Sequence, residues 1–342
     1  MKKIILPLSI CLTQIAIANT PSVDNVQPMV NLPARPSIKN GQNLWIQGEF
    51  LYWQATECNL AYIYSGTPTT STPEFQDIHY LDFEWDPGFR VGVGGNFTRD
   101  GWDIAIYYTR MHSHASASRR AHGDNDGLFQ IWSVDDTFLT TPLSQARGSW
   151  HADLNQVDLQ LGREMFAGKY LTLRPYIGMR STWLSQQFNV SVSNTLSQSQ
   201  HAKMDNRFWG FGFVAGMDSD WIFGKGFSLF ANADYSLLVG FFSIDEKSKQ
   251  DGTPIWRTQS GFRAGRSIID IAAGFKWAHL FCKDRYGVAI KAGYEYHLYF
   301  DQNQLINTFL IQRNAPMTLE RYLTQGGNLT YQGITVGLQF DF

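Results

Sequence analysis

Four histidines lie close together in the middle of the sequence: His112, His114, His122 and His151. Imidazole is a common metal ligand, but a recognisable zinc site also needs cysteine or acidic partners at a fixed spacing. This stretch lacks that spacing. We therefore expect solvated loop histidines and no metal site, and we expect no cofactor.

An acid and an imidazole also stand two residues apart, at Asp77 and His79. Such a pair could serve general acid–base chemistry in a surface hydrolase. No partner carboxylate is evident at a matching place, so we expect no enzyme and keep a rim-site hydrolase as an alternative. The glycine run from Gly210 to Gly216 resembles a nucleotide loop, but it follows a two-residue period and opens no helix.

A larger set of charged residues recurs at alternate positions within stretches that are otherwise apolar. Neighbouring side chains of a strand point to opposite faces, so these residues share one face and are expected to line a pore. The predicted pore-lining residues are Glu49, Arg90, Asp103, Asp158, Glu164, Arg174, Arg180, Asp218, Asp234, Asp270, Lys276, Lys291 and Glu295. Burying these charges against a wall without water would cost a prohibitive amount of free energy. A wet lumen and an interior filled by salt bridges both remain open.

Ten stretches with this alternation follow Asn43, and the last is YQGITVGLQFDF, which ends the chain at Phe342. The connections alternate strictly in length. Long ones follow the odd-numbered stretches, at roughly 55–87, 113–148, 190–206, 242–265 and 301–327. Transmembrane barrels have long extracellular loops and short periplasmic turns. The sequence therefore predicts an all-β, antiparallel, up-and-down transmembrane barrel of ten strands, or twelve if a hairpin lies in the first or second long connection.

Closure of this barrel accounts for the apolar C-terminus. In hydrocarbon every backbone N–H and C=O must be paired within the protein, so the sheet must have no edge. Strand ten is expected to pair with strand one, which places Phe342 in the wall. A terminal aromatic residue of this kind also resembles the signal by which the outer-membrane assembly machinery recognises barrels.

Composition excludes other classes of protein. The net charge is −2, with 17% charged residues, and this gives no basic field for nucleic acid. Beyond the N-terminus no apolar run is long enough for a membrane helix. Residues 1–18 have the pattern of a cleaved secretory signal. We expect a flexible periplasmic leader at 19–42 and the outer-membrane barrel at 43–342.

Three further features concern the interior and the loops. Ala315–Gln325 has helical spacing and is a candidate helix at the barrel mouth or on the surface. Cys58 and Cys282 fall at opposite ends of the predicted barrel, too far apart for an internal disulfide, which leaves free thiols or pairing between molecules. Glycines at inward positions either widen the lumen or permit wall curvature. They are residues 92, 94, 162, 178, 210, 212, 216, 274, 293, 333 and 337.

The strand blocks are similar to those of a known family. They are WDPGFRVGVG (85–94), WDIAIYYT (102–109), VDLQLGRE (157–164), KYLTLRPYIGMRSTWL (169–184), FWGFGFVAGMDSDW (208–221) and SLFANADYSLLVG (228–240). In order and spacing they resemble the Legionella-type pore-forming major outer membrane proteins, a family that includes the MOMP-like proteins of environmental chlamydiae. The resemblance implies a pore-forming barrel abundant at the cell surface, with no catalytic residues.

These observations predict a bacterial outer-membrane porin that gives small solutes passive, weakly selective passage and also serves as a surface structural protein. The alternative is a surface adhesin or structural barrel with a plugged lumen. The expected partners are outer-membrane lipid and lipopolysaccharide, the assembly machinery acting through the C-terminal strand, and small solutes or ions. A homo-oligomer also fits this class of protein.

Overall fold

A computed structural model describes most of the chain. The described residues are 43–67, 74–97, 101–122, 127–132, 143–311 and 318–342. Among them there is no helix long and apolar enough to cross a membrane. The predicted signal peptide and leader lie outside this part of the chain.

The described residues form fifteen strands in one antiparallel sheet. They are β1 (Leu44–Glu57), β2 (Ile63–Thr67), β3 (Glu74–His79), β4 (Asp82–Phe83), β5 (Trp85–Asn96), β6 (Trp102–Arg120), β7 (Gly127–Gln130), β8 (Leu143–Arg163), β9 (Met165–Phe166), β10 (Leu171–Asn194), β11 (Ser199–Gly224), β12 (Phe227–Gln250), β13 (Thr253–Phe281), β14 (Tyr286–Ile311) and β15 (Thr318–Asp341). Ten of them close into a ring in the order β1, β5, β6, β8, β10, β11, β12, β13, β14, β15. The predicted ten-stranded barrel is confirmed.

The ring closes through the C-terminal strand. The C-terminal half of β15 pairs with β1, from Trp45 opposite Asp341 to Glu57 opposite Leu329. The Phe342 N–H donates to the Leu44 carbonyl at 2.9 Å, and the Leu44 N–H donates back at 3.1 Å. The last residue is therefore held in the wall, so the sheet has no open edge at this seam.

The outer surface carries a continuous apolar belt. Large apolar residues that would be buried in a soluble protein are exposed on the outer face. Phe213, Val239 and Phe275 are 72%, 67% and 69% exposed. An apolar surface of this extent requires an apolar environment. Together with strand closure, it defines the membrane-spanning part of the barrel.

Several strands continue well beyond this belt. β10 to β14 have 24 to 29 residues each, whereas about ten suffice to cross a bilayer. The extra length rises on the side of the long connections. The connections predicted at 190–206 and 242–265 are therefore mostly strand, and they narrow to turns between Asn194 and Ser199 and between Gln250 and Thr253.

Short strands from the first two long connections pack within this extracellular wall. β2 pairs with β3 and β7, and β7 joins β8 through Leu128 and Leu143. The Trp132 indole donates to the Ala61 carbonyl at 2.7 Å and lies 5.2 Å from the Phe188 ring of β10. The hairpin that the sequence allowed in the first connection exists as β2–β3, but it does not enlarge the ring.

The upper parts of β14 and β15 leave the wall. β14 pairs with β13 only up to Tyr299, and above it Asn303–Ile311 pairs with Thr318–Gly327 alone. We call these two segments the inward hairpin. Residues Gln302 to Thr308 are buried whichever way they point. The helix predicted for Ala315–Gln325 is wrong over residues 318–325, which are strand, and its first residues lie outside the described part.

Candidate functional site in the barrel lumen

The membrane-level lumen contains two polar cavities. One, of about 210 Å³, lies towards the short turns and is lined by residues that include Glu164, Arg174, Lys276 and Lys291. The other, of about 120 Å³, lies deeper and includes Arg90, Arg180 and His297. Both cavities are bordered by Asp218 and Lys291, so they adjoin.

An arginine of β10 organises the wall of the first cavity. Arg174 Nη2 contacts Asp103 Oδ1 of β6 at 2.6 Å, and Nη1 contacts Asp218 Oδ2 of β11 at 2.8 Å. Arg174 Nη1 also donates to Gln160 of β8 at 3.2 Å. Gly162 makes room for this group, since a Cβ there would lie 2.7 Å from the guanidinium carbon. Arg174 Nε also donates to Asp103 Oδ2 at 3.0 Å, and this bidentate pairing with Asp103 fixes the arginine in one orientation.

A second cluster surrounds Arg90 of β5. Its guanidinium contacts Glu49 Oε2 of β1 at 2.7 Å and Glu295 Oε2 of β14 at 2.9 Å. Lys291 contacts the other oxygen of Glu49. Both glutamates are almost fully buried, so these ion pairs are shielded from solvent.

A third cluster surrounds Arg180 of β10, whose side chain is 3% exposed. It pairs with Asp158 of β8 and Asp270 of β13, and its Nη1 lies 3.3 Å from Asp234 Oδ1 of β12. His297 of β14 joins this cluster to the second. Its Nδ1 lies 2.7 Å from Asp270 and its Nε2 lies 3.1 Å from Glu295.

All thirteen predicted residues lie on the face opposite the apolar belt. Eleven enter the three clusters. Of the other two, Lys276 pairs with Asp220 at 2.8 Å, and Glu164 borders the first cavity. That they line a pore stays a prediction. The sequence-based site omitted His297, although its inward position two residues after Glu295 is a usable signal.

Contacts also cross the lumen from wall to wall. The Tyr299 hydroxyl of β14 donates to Gln156 Oε1 of β8 at 2.9 Å, and the strands that carry them are five places apart in the ring of ten. Slightly further out, Gln186 of β10 donates to Glu57 of β1. Burial raises the pKa of Glu57 well above its usual range, and this outweighs the opposing effect of the Gln186 hydrogen bond.

Above this level the barrel is filled by an apolar cluster. Trp150, Phe188, Met204 and Phe242 have no more than 1% of their surface exposed, and the Phe208 and Phe242 rings are 4.7 Å apart. The cluster belongs to inward positions of strands beyond the membrane belt. The apolar cluster therefore lies between the extracellular end of the barrel and the polar cavities.

The inward hairpin lies over the same region. The Asn206 side chain donates to the Gln302 carbonyl at 2.9 Å, and Thr308 Oγ1 donates to Glu246 Oε2 at 2.7 Å. Glu246 lies on β12 beyond the membrane belt. Burial raises its pKa to about 7, against the lowering effect of the Thr308 hydroxyl and backbone.

The other candidate chemistry lies apart from the lumen. His112 Nδ1 contacts Asp153 at 2.8 Å, with both side chains more than half exposed, and His114 Nδ1 contacts the buried Asp86 at 2.7 Å. Within the described residues no group of His, Cys, Asp or Glu side chains is arranged to hold a metal ion. His79 Nε2 lies 2.9 Å from Ser65 Oγ, but Ser65 is only 2% exposed and so is poorly placed to attack a substrate.

The inward glycines permit close approach between neighbouring strands. A Cβ on Gly178 would lie 2.0 Å from the Leu159 carbonyl oxygen, and one on Gly212 would lie 2.0 Å from the Leu237 carbonyl oxygen. Real Cβ atoms cannot occupy such positions. The interpretation in which glycine permits a curved wall is therefore favoured over one in which it only widens the lumen.

A closed antiparallel ring with an apolar outer belt and a charged interior defines a transmembrane β-barrel of the bacterial outer membrane. Residues 36–342 match the family model described as Legionella pneumophila major outer membrane protein precursor. The chain belongs to this family.

Other comparisons give distant matches. No curated protein matches the chain. Among solved structures, a TodX deltaS2S3 mutant monoaromatic hydrocarbon channel is 8% identical to this chain. The alignment covers 90% of this chain and 92% of the channel, with a TM-score of 0.33. The translocator domain of autotransporter NalP from Neisseria meningitidis has 11% identity, coverages of 89% and 90%, and a TM-score of 0.31. A major outer membrane protein from Thermus thermophilus has 11% identity, coverages of 87% and 99%, and a TM-score of 0.29.

Proposed function

We propose that the protein is a porin-like barrel that gives small solutes and ions passive, weakly selective passage, and that the described conformation is its closed state. The observation that carries this proposal is the pair of adjoining polar cavities within the membrane-level lumen. A barrel that served only as a scaffold would need no water-sized polar space at that level. Both signs of charge border the cavities, largely paired with each other, which favours weak selectivity.

In this proposal the inward hairpin and the apolar cluster form the barrier on the extracellular side. The hairpin is held by hydrogen bonds from Thr308 to Glu246 and from Asn307 Nδ2, at 3.0 Å, to the Ile131 carbonyl. At its base, Asn206 donates to the Gln302 carbonyl. It is continuous with the wall only below Tyr299. Its displacement would leave the ring hydrogen bonds of the membrane belt intact, so opening need not unfold the barrel.

Planar-bilayer conductance tests the proposal. The purified chain is compared with a variant in which residues 303–325 are replaced by a short turn. We expect small, intermittent currents from the unchanged protein and several-fold larger currents from the shortened one. A matched control shortens the turn between Asn194 and Ser199, which lies at the top of the wall, and should leave conductance unchanged.

The second candidate is a structural or adhesive barrel with a permanently plugged lumen. The contact between Tyr299 and Gln156 across the ring favours it. Solute flux into proteoliposomes distinguishes the two functions. If both the unchanged and the hairpin-shortened proteins are silent while each shows the gel mobility of a folded barrel, the pore proposal is wrong and the plugged barrel is correct.

A further inference from the structure

The extracellular wall has an open edge where the inward hairpin leaves it. β13 pairs with β14 only from Phe281 to Ile268, while its upper residues, 253–267, pair with β12 on one side. On their other side these residues have no partner strand within the described part of the chain. They therefore form an edge strand, on which another extended segment can pair through backbone hydrogen bonds.

The wall lacks two strands at this level. In the membrane-level ring, β14 and β15 lie between β13 and β1. β15 pairs with β1 only up to Leu329, and above it β14 and β15 pair with each other alone in the part of the chain that the structure describes. Two strand spacings amount to roughly 10 Å. The inward hairpin consists of two strands, so it has the width needed to complete the wall.

The hairpin departs from the wall at a local distortion of β14. Asp301 has a φ of 48°, in the left-handed region that regular strands do not use. Between the pairs Tyr299–Leu329 and Asn303–Gly327, three residues of β14 stand opposite one residue of β15. Extra residues of this kind bend the strand that carries them. The path of the hairpin into the lumen is therefore set by a few backbone angles around Asp301.

The side chains of β13 and β14 match if their register continues past this point. Continued beyond Tyr299, the register places Arg266 opposite Asp301. Arg266 Nη2 already lies 3.3 Å from Asp301 Oδ2. Four residues further along, the same register places Phe262 opposite Leu305. Phe262 packs against the apolar cluster inside the extracellular wall, and Leu305 would join it on the same face.

We propose that the free edge of β13, residues 253–267, is the docking site for the β14 strand of the inward hairpin in the open state of the barrel. The hairpin turns about Asp301, its residues from Phe300 onward pair with β13, and the wall is completed while the lumen clears. Main-chain hydrogen bonding along an exposed edge is a recurring way to bind an extended segment. The term open state rests on the proposed porin function, whereas the strand pairing does not.

Disulfide cross-linking of the full chain in micelles tests this pairing. Both native cysteines are first replaced by serine. The continued register then brings Ser260→Cys within disulfide reach of Asn307→Cys when the hairpin docks on β13, whereas Asn307 now donates to the Ile131 carbonyl inside the barrel. The control pair is Ser260→Cys with Leu305→Cys, two residues out of register, and it carries Asn307→Ala so that both variants lose the bond to Ile131. We expect the in-register pair to oxidise several-fold faster.

A further substitution and a conductance measurement complete the test. Thr308→Val removes the hydrogen bond to Glu246 and should speed the in-register link about fivefold, the effect of one hydrogen bond. The linked protein should conduct several-fold more than the reduced one. Equal oxidation rates for the two pairs would overturn the proposal, and so would links formed only between two molecules, because a second copy would then occupy the edge. An in-register link without a gain in conductance would support the docking and contradict the porin function.

Discussion

Tyr299 and Gln156 stand on opposite walls of a ten-stranded ring, yet the tyrosine hydroxyl lies 2.9 Å from the Gln156 side-chain oxygen. An inward tyrosine is long enough to meet a glutamine across a lumen of this size. Gln156 also accepts a hydrogen bond from Thr182 at 3.3 Å. The Tyr299 side chain therefore crosses the lumen between the polar cavities and the apolar cluster.

Replacing Tyr299 by phenylalanine removes this contact while preserving the ring. We expect more frequent channel openings in a planar bilayer and a loss of about 1 kcal/mol in the free energy of unfolding, the usual net value of one hydrogen bond. Tyr235→Phe is the matched control, because its hydroxyl bonds Ser267 on the outer surface at 2.8 Å. If both variants gate alike, the Tyr299 contact does not restrict passage.

Arg180 is expected to be the most sensitive charge in the lumen. Its replacement by methionine leaves Asp158, Asp234 and Asp270 without their shared partner. Leaving buried charges unpaired typically costs about 3–5 kcal/mol. We expect the free energy of unfolding to fall by roughly that amount, measured by urea unfolding in micelles.

The comparison for Arg180 is an exposed ion pair on the extracellular wall. Arg257 contacts Asp245 at 3.0 Å with 56% of its side chain exposed, and Arg257→Gln should change the stability far less than Arg180→Met, because exposed ion pairs contribute little. Adding Asp158→Asn to Arg180→Met should recover part of the loss. An Arg180→Met variant as stable as the unchanged protein would show that water reaches the cluster freely.

The hairpin should be held less firmly as pH rises. The folded-state pKa of Glu246 is raised by burial from 4.5 to about 7, so the folded protein favours the neutral carboxyl. Its contribution is fully present below pH 4.5 and is lost as pH rises through about 7, with a total of roughly 3 kcal/mol at 1.36 kcal/mol per pKa unit. We expect conductance to increase between pH 5 and pH 8.

Glu246→Gln keeps a polar side chain that cannot ionise, and it should abolish this pH dependence while the hairpin stays docked. Asp245→Asn is the control and should leave the pH dependence unchanged. The hydrogen bond from Arg257 lowers the pKa of Asp245 to about 2, so this carboxyl does not titrate between pH 5 and pH 8. An unchanged pH profile in the Glu246→Gln variant would show that this carboxyl does not control the pH dependence of conductance.

The membrane part of the barrel could be predicted from the sequence because one physical rule governs it. Apolar side chains face lipid and polar ones face inward, so Ile177, Met179 and Trp183 reveal strand β10 and its orientation. The same parity predicted which charged residues point inward. It did not reveal which of them pair, since partners such as Arg180 and Asp270 lie 90 residues apart.

The extracellular wall was missed because the rule reverses there. Above the membrane, water lies outside and the apolar residues turn inward, so on β10 the pattern shifts from Trp183 to Leu184, Phe188 and Val190. A shift of one residue within a strand looks like the end of the strand. The inward hairpin was missed for a related reason: residues 302–308 of its first strand are buried on both sides, so they show no alternation to detect.

Gly212 should not tolerate even a methyl group. A Cβ at this position would lie 2.0 Å from the Leu237 carbonyl oxygen and 2.8 Å from the Leu238 Cα, both backbone atoms that cannot move without separating β11 from β12. We expect Gly212→Ala to reduce the yield of folded barrel several-fold, measured by heat-modifiable gel mobility. Gly48→Ala should fold normally, because no atom lies within 4 Å of a Cβ there. Equal yields would mean that the wall relaxes easily.

The two cysteines test the orientation of the whole barrel. Both are free and exposed. Cys58 follows β1 on the side of the long connections, and Cys282 lies in the short turn between β13 and β14. Because long connections of such barrels are extracellular, a membrane-impermeant maleimide added to intact cells should label Cys58 and spare Cys282. Permeabilising the outer membrane should expose Cys282 as well.

Single variants make the labelling experiment decisive. Cys282→Ser should label in intact cells, and Cys58→Ser should label only after permeabilisation. Labelling of Cys282 in intact cells, with Cys58 protected, would mean that the barrel has the opposite orientation in the membrane. The inward hairpin would then face the periplasm, and its place as an extracellular barrier would be lost.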